Sequence, residues 1–238
     1  MRYINVFLFV AMIVMNYLAN AIPLNNKTTG ELSDMYPNLF VPAGLTFSIW
    51  GVIYLLLLAY CLFQFTGTNQ ELISSISLLF GISCILNSVW IVFWHYEKLP
   101  LSLVAMIGLL VTLILINTRM TGTPPGLVKA AFGIYLGWIS IATIANVTAL
   151  LVHYNFNIPG ISEEIWTIIM VISGALITGL ALSGFRNPFI GLSVIWAFIG
   201  IAIKRQDDYR SIFLTAVVAL TIIAVVTLWG FIRKSTTV

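Results

Sequence analysis

Tyr135, Trp138, Ala142, Asn146 and Ala149 recur at three- and four-residue spacing inside one apolar run, so a helix puts them on a single face. That face carries two flat rings, an amide and two small side chains. Such a set can hold a flat, largely apolar molecule: the rings stack, the amide fixes one hydrogen-bonding point, and the small residues leave room. Two other apolar runs repeat the pattern. Phe47, Trp50, Tyr54, Leu58 and Cys61 share one face; Phe80, Cys84, Asn87, Trp90 or Ile91, and Trp94 share another. An amide in hydrocarbon must find a partner on another helix, in water or on a ligand. Packing is the plainer reading of the same residues. Gly133 and Gly137 form a GxxxG pair that brings helices close, and Trp94 and Trp229, near the ends of their runs, fit an interfacial belt.

Other chemistries lack their residues. No apolar run has a charge at its centre, which removes the usual proton relay, coupled-ion carboxylate and voltage sensor, and no Lys is placed to carry a retinal Schiff base. His95 and His153 stand at the ends of two runs and read as interfacial residues, with no metal-ligand spacing around them. A Ser-His-Asp set, a phosphate-binding glycine loop and HExxH are missing from the sequence. Catalytic and metal-ligating residues are therefore not assigned, and a non-enzymatic role is expected. Cys61 and Cys84 fall mid-run, where they act as small apolar residues with no disulfide expected.

The elements that position these faces follow from composition. Of 238 residues, 60% are hydrophobic and 8% charged, and the mean hydropathy is +1.04, well beyond what a soluble core requires. Long unbroken apolar runs specify membrane helices and not alternating barrel strands. Counting runs bounded by turn residues predicts eight spans, at about 3–24, 44–65, 71–94, 100–119, 128–152, 164–184, 187–203 and 209–232. The seventh is the shortest. The first begins with Arg2 like a secretory signal but lacks a small-residue cleavage site, so it is expected to remain as a helix.

Eight spans put both termini on one side, with Arg2, Arg119, Lys129, Arg186, Arg233 and Lys234; the other side has Lys27, Lys98, Lys204, Arg205 and Arg210. Acidic residues gather on that second side, and the termini are expected to be cytoplasmic. The net charge of +3 is scattered over loops, so no nucleic-acid partner is expected. The expected setting is a multi-pass protein of the cell (plasma) membrane, with the lipid bilayer as its partner.

Three blocks together resemble the translocator protein family, also known as the tryptophan-rich sensory proteins or peripheral benzodiazepine receptors. Pro42 followed by Phe47-Ser48-Ile49-Trp50-Gly51-Val52-Ile53-Tyr54 is similar to the family's opening of the second helix. Leu86-Asn87-Ser88-Val89-Trp90-Ile91-Val92-Phe93 is similar to its Leu-Asn-x-x-Trp-x-x-x-Phe in the third, and Tyr135 to Asn146 to its Tyr-Leu-x-Trp-x-x-x-Ala-Thr-x-x-Asn in the fifth. The resemblance implies an all-α polytopic bundle: a five-helix domain over 1–155, with 156–238 as a three-helix extension. It implies a cavity near the first loop for tetrapyrroles, sterols or benzodiazepine-type ligands, lined or supported by Trp50, Tyr54, Asn87, Trp90, Trp138, Ala142 and Asn146. The helical faces place the same residues together. Porphyrin or heme enters as a ligand and not as a resident cofactor, and a homodimer is a candidate assembly.

Three features depart from the family pattern. The chain continues past five helices, the first loop lacks tandem prolines, and Tyr154 is followed by Asn155-Phe156-Asn157 without the basic residue of the sterol-associated pattern. The preferred reading is binding of a flat apolar ligand of the porphyrin class, in its sensing, transport or turnover. The alternative is a small-solute transporter that uses all eight spans for an unrelated substrate; it favours broken helices and mid-membrane charges, neither of which is evident here.

Overall fold

The structure, a computed structural model, describes residues 1–22, 24–156 and 159–233. Among these residues it contains α-helices and short 3₁₀ turns and no strands. The helices are α1 (Arg2–Ala21), α2 (Thr29–Asp34), α3 (Ile49–Phe63), α4 (Gln70–His95), α5 (Leu99–Arg119), α6 (Leu127–His153), α7 (Glu163–Phe185), α8 (Phe189–Arg205) and α9 (Arg210–Ile232). A 3₁₀ turn, Gly44–Ser48, runs straight into α3. Seven of the helices, counting Gly44–Phe63 as one, are long and apolar enough to cross a membrane.

All eight expected spans are helical. The one expected at 187–203 is α8, whose 17 residues make it about 26 Å long, short of a bilayer core roughly 30 Å thick. It is also among the more buried helices, packed along α6 and α9. The short α2 was not anticipated. Thr28 and Glu31 close a capping box around its first turn, the Thr28 side chain accepting from Glu31 N–H while Glu31 returns to the Thr28 backbone. At α7, the Ser162 hydroxyl caps Ile165 N–H, and Glu163 and Glu164 favour the positive helix start. The helix stops at Arg186, which turns left-handed at φ +50, two residues before Pro188.

Buried hydrogen bonds set the register between helices. Asn5 on α1 donates to Ser77 Oγ (2.8 Å) and Asn16 to Asn87 Oδ1 (2.7 Å), so α1 and α4 run parallel. Asn117 on α5 donates to the Phe132 carbonyl (3.1 Å) and Asn146 on α6 to Ser102 Oγ (3.0 Å), so α5 and α6 run antiparallel. Gly133 and Gly137 do the packing that a GxxxG pair suggests. Their flat surface receives α8: a methyl on Gly133 would sit 2.6 Å from Asn187 Nδ2, and one on Gly137 would collide with the Ile190 carbonyl. Gly174 likewise lies tight against Ile141 and Phe198, whereas Gly179 faces open space.

Followed helix by helix, the alternation puts Arg2, Arg119, Lys129, Arg186 and Arg233 at one end of the bundle. The first loop, His95, Arg205 and Arg210 are at the other. Lys234 and Val238, at the expected C-terminal boundary, lie outside the described residues, as do Pro23 and Asn157.

Candidate functional site

Under the first loop, α1, α3, α4 and α6 enclose two adjoining cavities, of about 520 Å³ and 70 Å³. The larger opens between α1 and α3 and is lined by Asn16, Tyr17, Asn20, Phe47, Trp50, Tyr54 and Trp90. The smaller lies against α6 and is lined by Trp94, Trp138, Ile141, Ala142, Ala145, Asn146 and Ala149. Trp50 and Trp90 border both and form their common wall, with ring centroids 6.1 Å apart and planes 26° from parallel. Tyr54 stacks on Trp50 at 5.5 Å, and Trp138 meets Trp50 edge-on at 6.2 Å.

Six of the seven residues picked out from sequence thus border this pair of cavities. Trp50 and Trp90 line both, Tyr54 the larger, and Trp138, Ala142 and Asn146 the smaller. Asn87 lines neither. It is fully buried, accepting from Asn16 and donating to the Tyr135 hydroxyl, and so braces the floor between α1, α4 and α6. In the stripe on α3, Leu58 faces outward while Cys61 beyond it is buried.

Several polar atoms on the cavity walls have no partner among the described residues. Trp90 Nε1, Trp138 Nε1, Asn146 Oδ1 and Thr29 Oγ1 are buried and unpaired. Natural proteins rarely leave a buried donor or acceptor unsatisfied, because each costs roughly 1–3 kcal/mol. Two indole donors and an amide acceptor, unpaired on one aromatic lining, are what a ligand with a few polar points would satisfy.

The first loop roofs the cavities, and it is fastened on two sides. On one, Lys27 pairs with Glu97 at 2.8 Å and Asn25 donates to the His95 carbonyl at 3.1 Å. On the other, α8 holds it. The Arg205 guanidinium donates to the Leu39 carbonyl (3.0 Å) and the Asn38 carbonyl (3.1 Å), Trp196 Nε1 donates to the Thr46 carbonyl (2.9 Å), and Ala43 N–H donates to the Gly200 carbonyl (3.0 Å). Gly200 is required there, since a side chain would strike Thr46. Lys204 and Asp34 face one another at 4.0 Å on the mouth of the larger cavity.

In the roof, the Thr28 backbone N–H and then its hydroxyl donate to Glu31 and hold that carboxyl below its ordinary range. Burial, and then the Glu97 carboxylate nearby, push the Tyr36 phenol up.

Two interfacial readings are corrected by this roof. Trp94 is buried, stacked on Trp90 at 6.3 Å with its indole N–H turned to the Thr29 carbonyl, because α2 covers it. His95 is fully buried, its Nδ1 2.8 Å from the Ile91 carbonyl. Trp229, by contrast, is exposed at the end of α9, as a belt residue would be. Cys61 and Cys84 are both free and buried.

A polytopic helical membrane protein, with an aromatic cavity between its helices and a loop closing it from one end, is the class this fold and site define. Set against protein-family models, residues 2–229 match the one described as TSPO-like protein, and the chain belongs to that family. The match bears out the resemblance drawn from the helix motifs and runs on through α7, α8 and most of α9. No curated protein and no solved structure matches the chain.

Proposed function

We propose that this protein binds a flat, largely apolar small molecule of the porphyrin or tetrapyrrole class in the roofed cavity, and acts in its sensing, transport or turnover. The observation that carries the reading is the set of unpaired polar atoms, Trp90 Nε1, Trp138 Nε1 and Asn146 Oδ1, on a wall otherwise built of aromatic rings and small apolar side chains. That wall lines the smaller cavity, and the larger one that adjoins it through Trp50 and Trp90, about 520 Å³, lies within the range of small-molecule pockets, roughly 300–1,000 Å³. Lys204 offers a cation at the mouth, where an acidic substituent on a planar ligand would meet it. The reading is one of binding and not catalysis. The charged residues of the lining, Asp34 and Lys204, stand at the mouth, which gives a small-solute transporter no coupling group along the cavity wall.

The test is a titration of the full chain in mild detergent with protoporphyrin, read by tryptophan fluorescence. Saturable quenching is expected. Trp138→Ala should weaken affinity about tenfold, since a packed aromatic contact contributes about 0.5–1.5 kcal/mol beyond its burial. Ala142→Phe should weaken it further by filling the space beside Trp138, and Trp229→Ala should leave it unchanged. Absence of saturable quenching, or equal effects of the Trp138 and Trp229 substitutions, would reject the proposal.

A further inference from the structure

A separate cavity of about 330 Å³ lies at the opposite end of the bundle, between the α5–α6 loop, the α7–α8 corner and the end of α9. Lys129, Arg186 and Arg233 all line it, and among the described residues no carboxylate does. Lys129 is the unusual member. Its side chain sits in the first turn of α6 with only 3% of the residue exposed. Its Nζ donates to the Arg186 carbonyl at 3.0 Å, its one hydrogen bond among the described residues, while an ammonium has three N–H donors.

The left-handed turn at Arg186 aims that carbonyl back at Lys129 and keeps the Arg186 chain at the same corner. Among the described residues the ion pairs are Lys27–Glu97 and Lys204–Asp34, both at the other end of the molecule. Among the described residues the three cations therefore have no acidic counterpart. A buried ammonium without a counter-ion is strongly unfavourable, so this arrangement favours an anion beside it.

The rest of the lining indicates where that anion comes from. Leu182, Pro188, Val226 and Trp229 make an apolar wall beside the cations, and the Trp229 indole projects outward at the end of an apolar helix, the usual position of a ring at a membrane–water interface. Below it, Ile222, Val225 and Val226 continue as an exposed apolar strip on α9. A cluster of cations at interfacial depth, open to an apolar helix face, suits a phosphate group attached to hydrocarbon chains.

We propose that this cavity binds a phosphate-bearing anion at the membrane surface, with the headgroup of an anionic phospholipid seated among Lys129, Arg186 and Arg233 and its acyl chains lying along α9. The site is independent of the roofed cavity.

The experiment uses the full chain in neutral detergent, titrated with dioleoyl phosphatidylglycerol or dioleoyl phosphatidylcholine, with retained lipid measured by native mass spectrometry. One phosphatidylglycerol should be retained at a concentration about tenfold below that needed for phosphatidylcholine. Arg233→Gln, at an exposed residue whose side chain makes no hydrogen bond among the described residues, should weaken retention about fivefold, and Lys129→Gln at least as much. Arg119→Gln, at the same end but outside the cavity, should change nothing.

A parallel arm adds inorganic phosphate. Displacement of the lipid with the same dependence on Arg233 and Lys129 supports the site and makes soluble phosphate a second source of its anion. Equal retention of the two lipids without phosphate competition overturns the proposal. So does a loss in Arg119→Gln equal to that in Arg233→Gln, which would reduce the effect to general surface charge.

Discussion

Asn87 donates its side-chain amide to the Tyr135 hydroxyl at 3.0 Å across the α4–α6 interface, and neither residue reaches a cavity wall. Asn146, about three turns further along α6, donates to Ser102 and leaves Oδ1 unpaired among the described residues on the smaller cavity. Two amides that look equivalent in the sequence thus have different work.

Asn87→Leu should therefore act on stability. It removes two buried hydrogen bonds, strands the Tyr135 hydroxyl and leaves the Asn16 amide only its bond to the Met12 carbonyl, a loss of about 1–2 kcal/mol, given an average near 0.6 for each side-chain bond between membrane helices. Its Tm should drop clearly while porphyrin affinity stays within about twofold. Asn146→Leu should show the reverse order of effects. Equal Tm values for the wild type and Asn87→Leu would remove the bracing role.

Gly137→Ala should disrupt the α6–α8 contact, because the added methyl runs into the Ile190 carbonyl and a backbone cannot step aside as a side chain can. Overpacking of this kind costs typically about 1–3 kcal/mol. Gly179→Ala, where nothing lies within 4 Å, should be neutral or stabilising by up to about 1 kcal/mol from helix propensity. Thermal denaturation of the two variants side by side is the measurement, and similar Tm values would mean that the helices do not meet at Gly137.

Arg205→Gln should loosen the roof without disturbing the rings beneath it. Both charge-assisted bonds to the Asn38 and Leu39 carbonyls are lost, each contributing about 1.5–3 kcal/mol. The expected result is at least a tenfold rise in the open population, seen as stronger acrylamide quenching of the cavity tryptophans at unchanged helicity. Quenching equal to wild type would show that Arg205 is not a fastener.

Single cysteines placed at Arg2 and Arg233 should label from the same face of a sealed vesicle, since the seven long helices and the shorter α8 bring these residues to one end. Cys61 and Cys84 are buried and should contribute little background. Labelling from opposite faces would mean that α8 does not reverse the chain direction across the membrane.

The sequence marked the helices well because the apolar runs are long and their breaks are clear: the run expected at 128–152 is the helix Leu127–His153, and that at 100–119 is Leu99–Arg119. The aromatic faces were legible for the same reason, being periodic within single helices. What could not be read was anything made between distant segments. Lys204 and Asp34 meet at the cavity mouth from 170 positions apart, and no local pattern joins them. Asn16 and Asn87 were both visible as polar intruders, but only the parallel register of α1 and α4 makes them a pair. The α2 helix had a local signal, Thr28 to Glu31 at capping-box spacing, that a reading focused on long apolar runs passes over.

The fastenings of the first loop also set an order of events during synthesis. Residues 38–46 leave the ribosome early, yet the groups that hold them, Trp196 and Arg205, are 150 to 167 positions downstream. Contacts of such long range form late, after the local helices and hairpins, and chains assemble from the N-terminus as they are made. The rings of α3, α4 and α6 are consequently gathered while their covering is tied only at the α4 side. The nascent protein passes through a stage in which its aromatic chamber stands open at one end, and emergence of the α7–α8–α9 segment closes it.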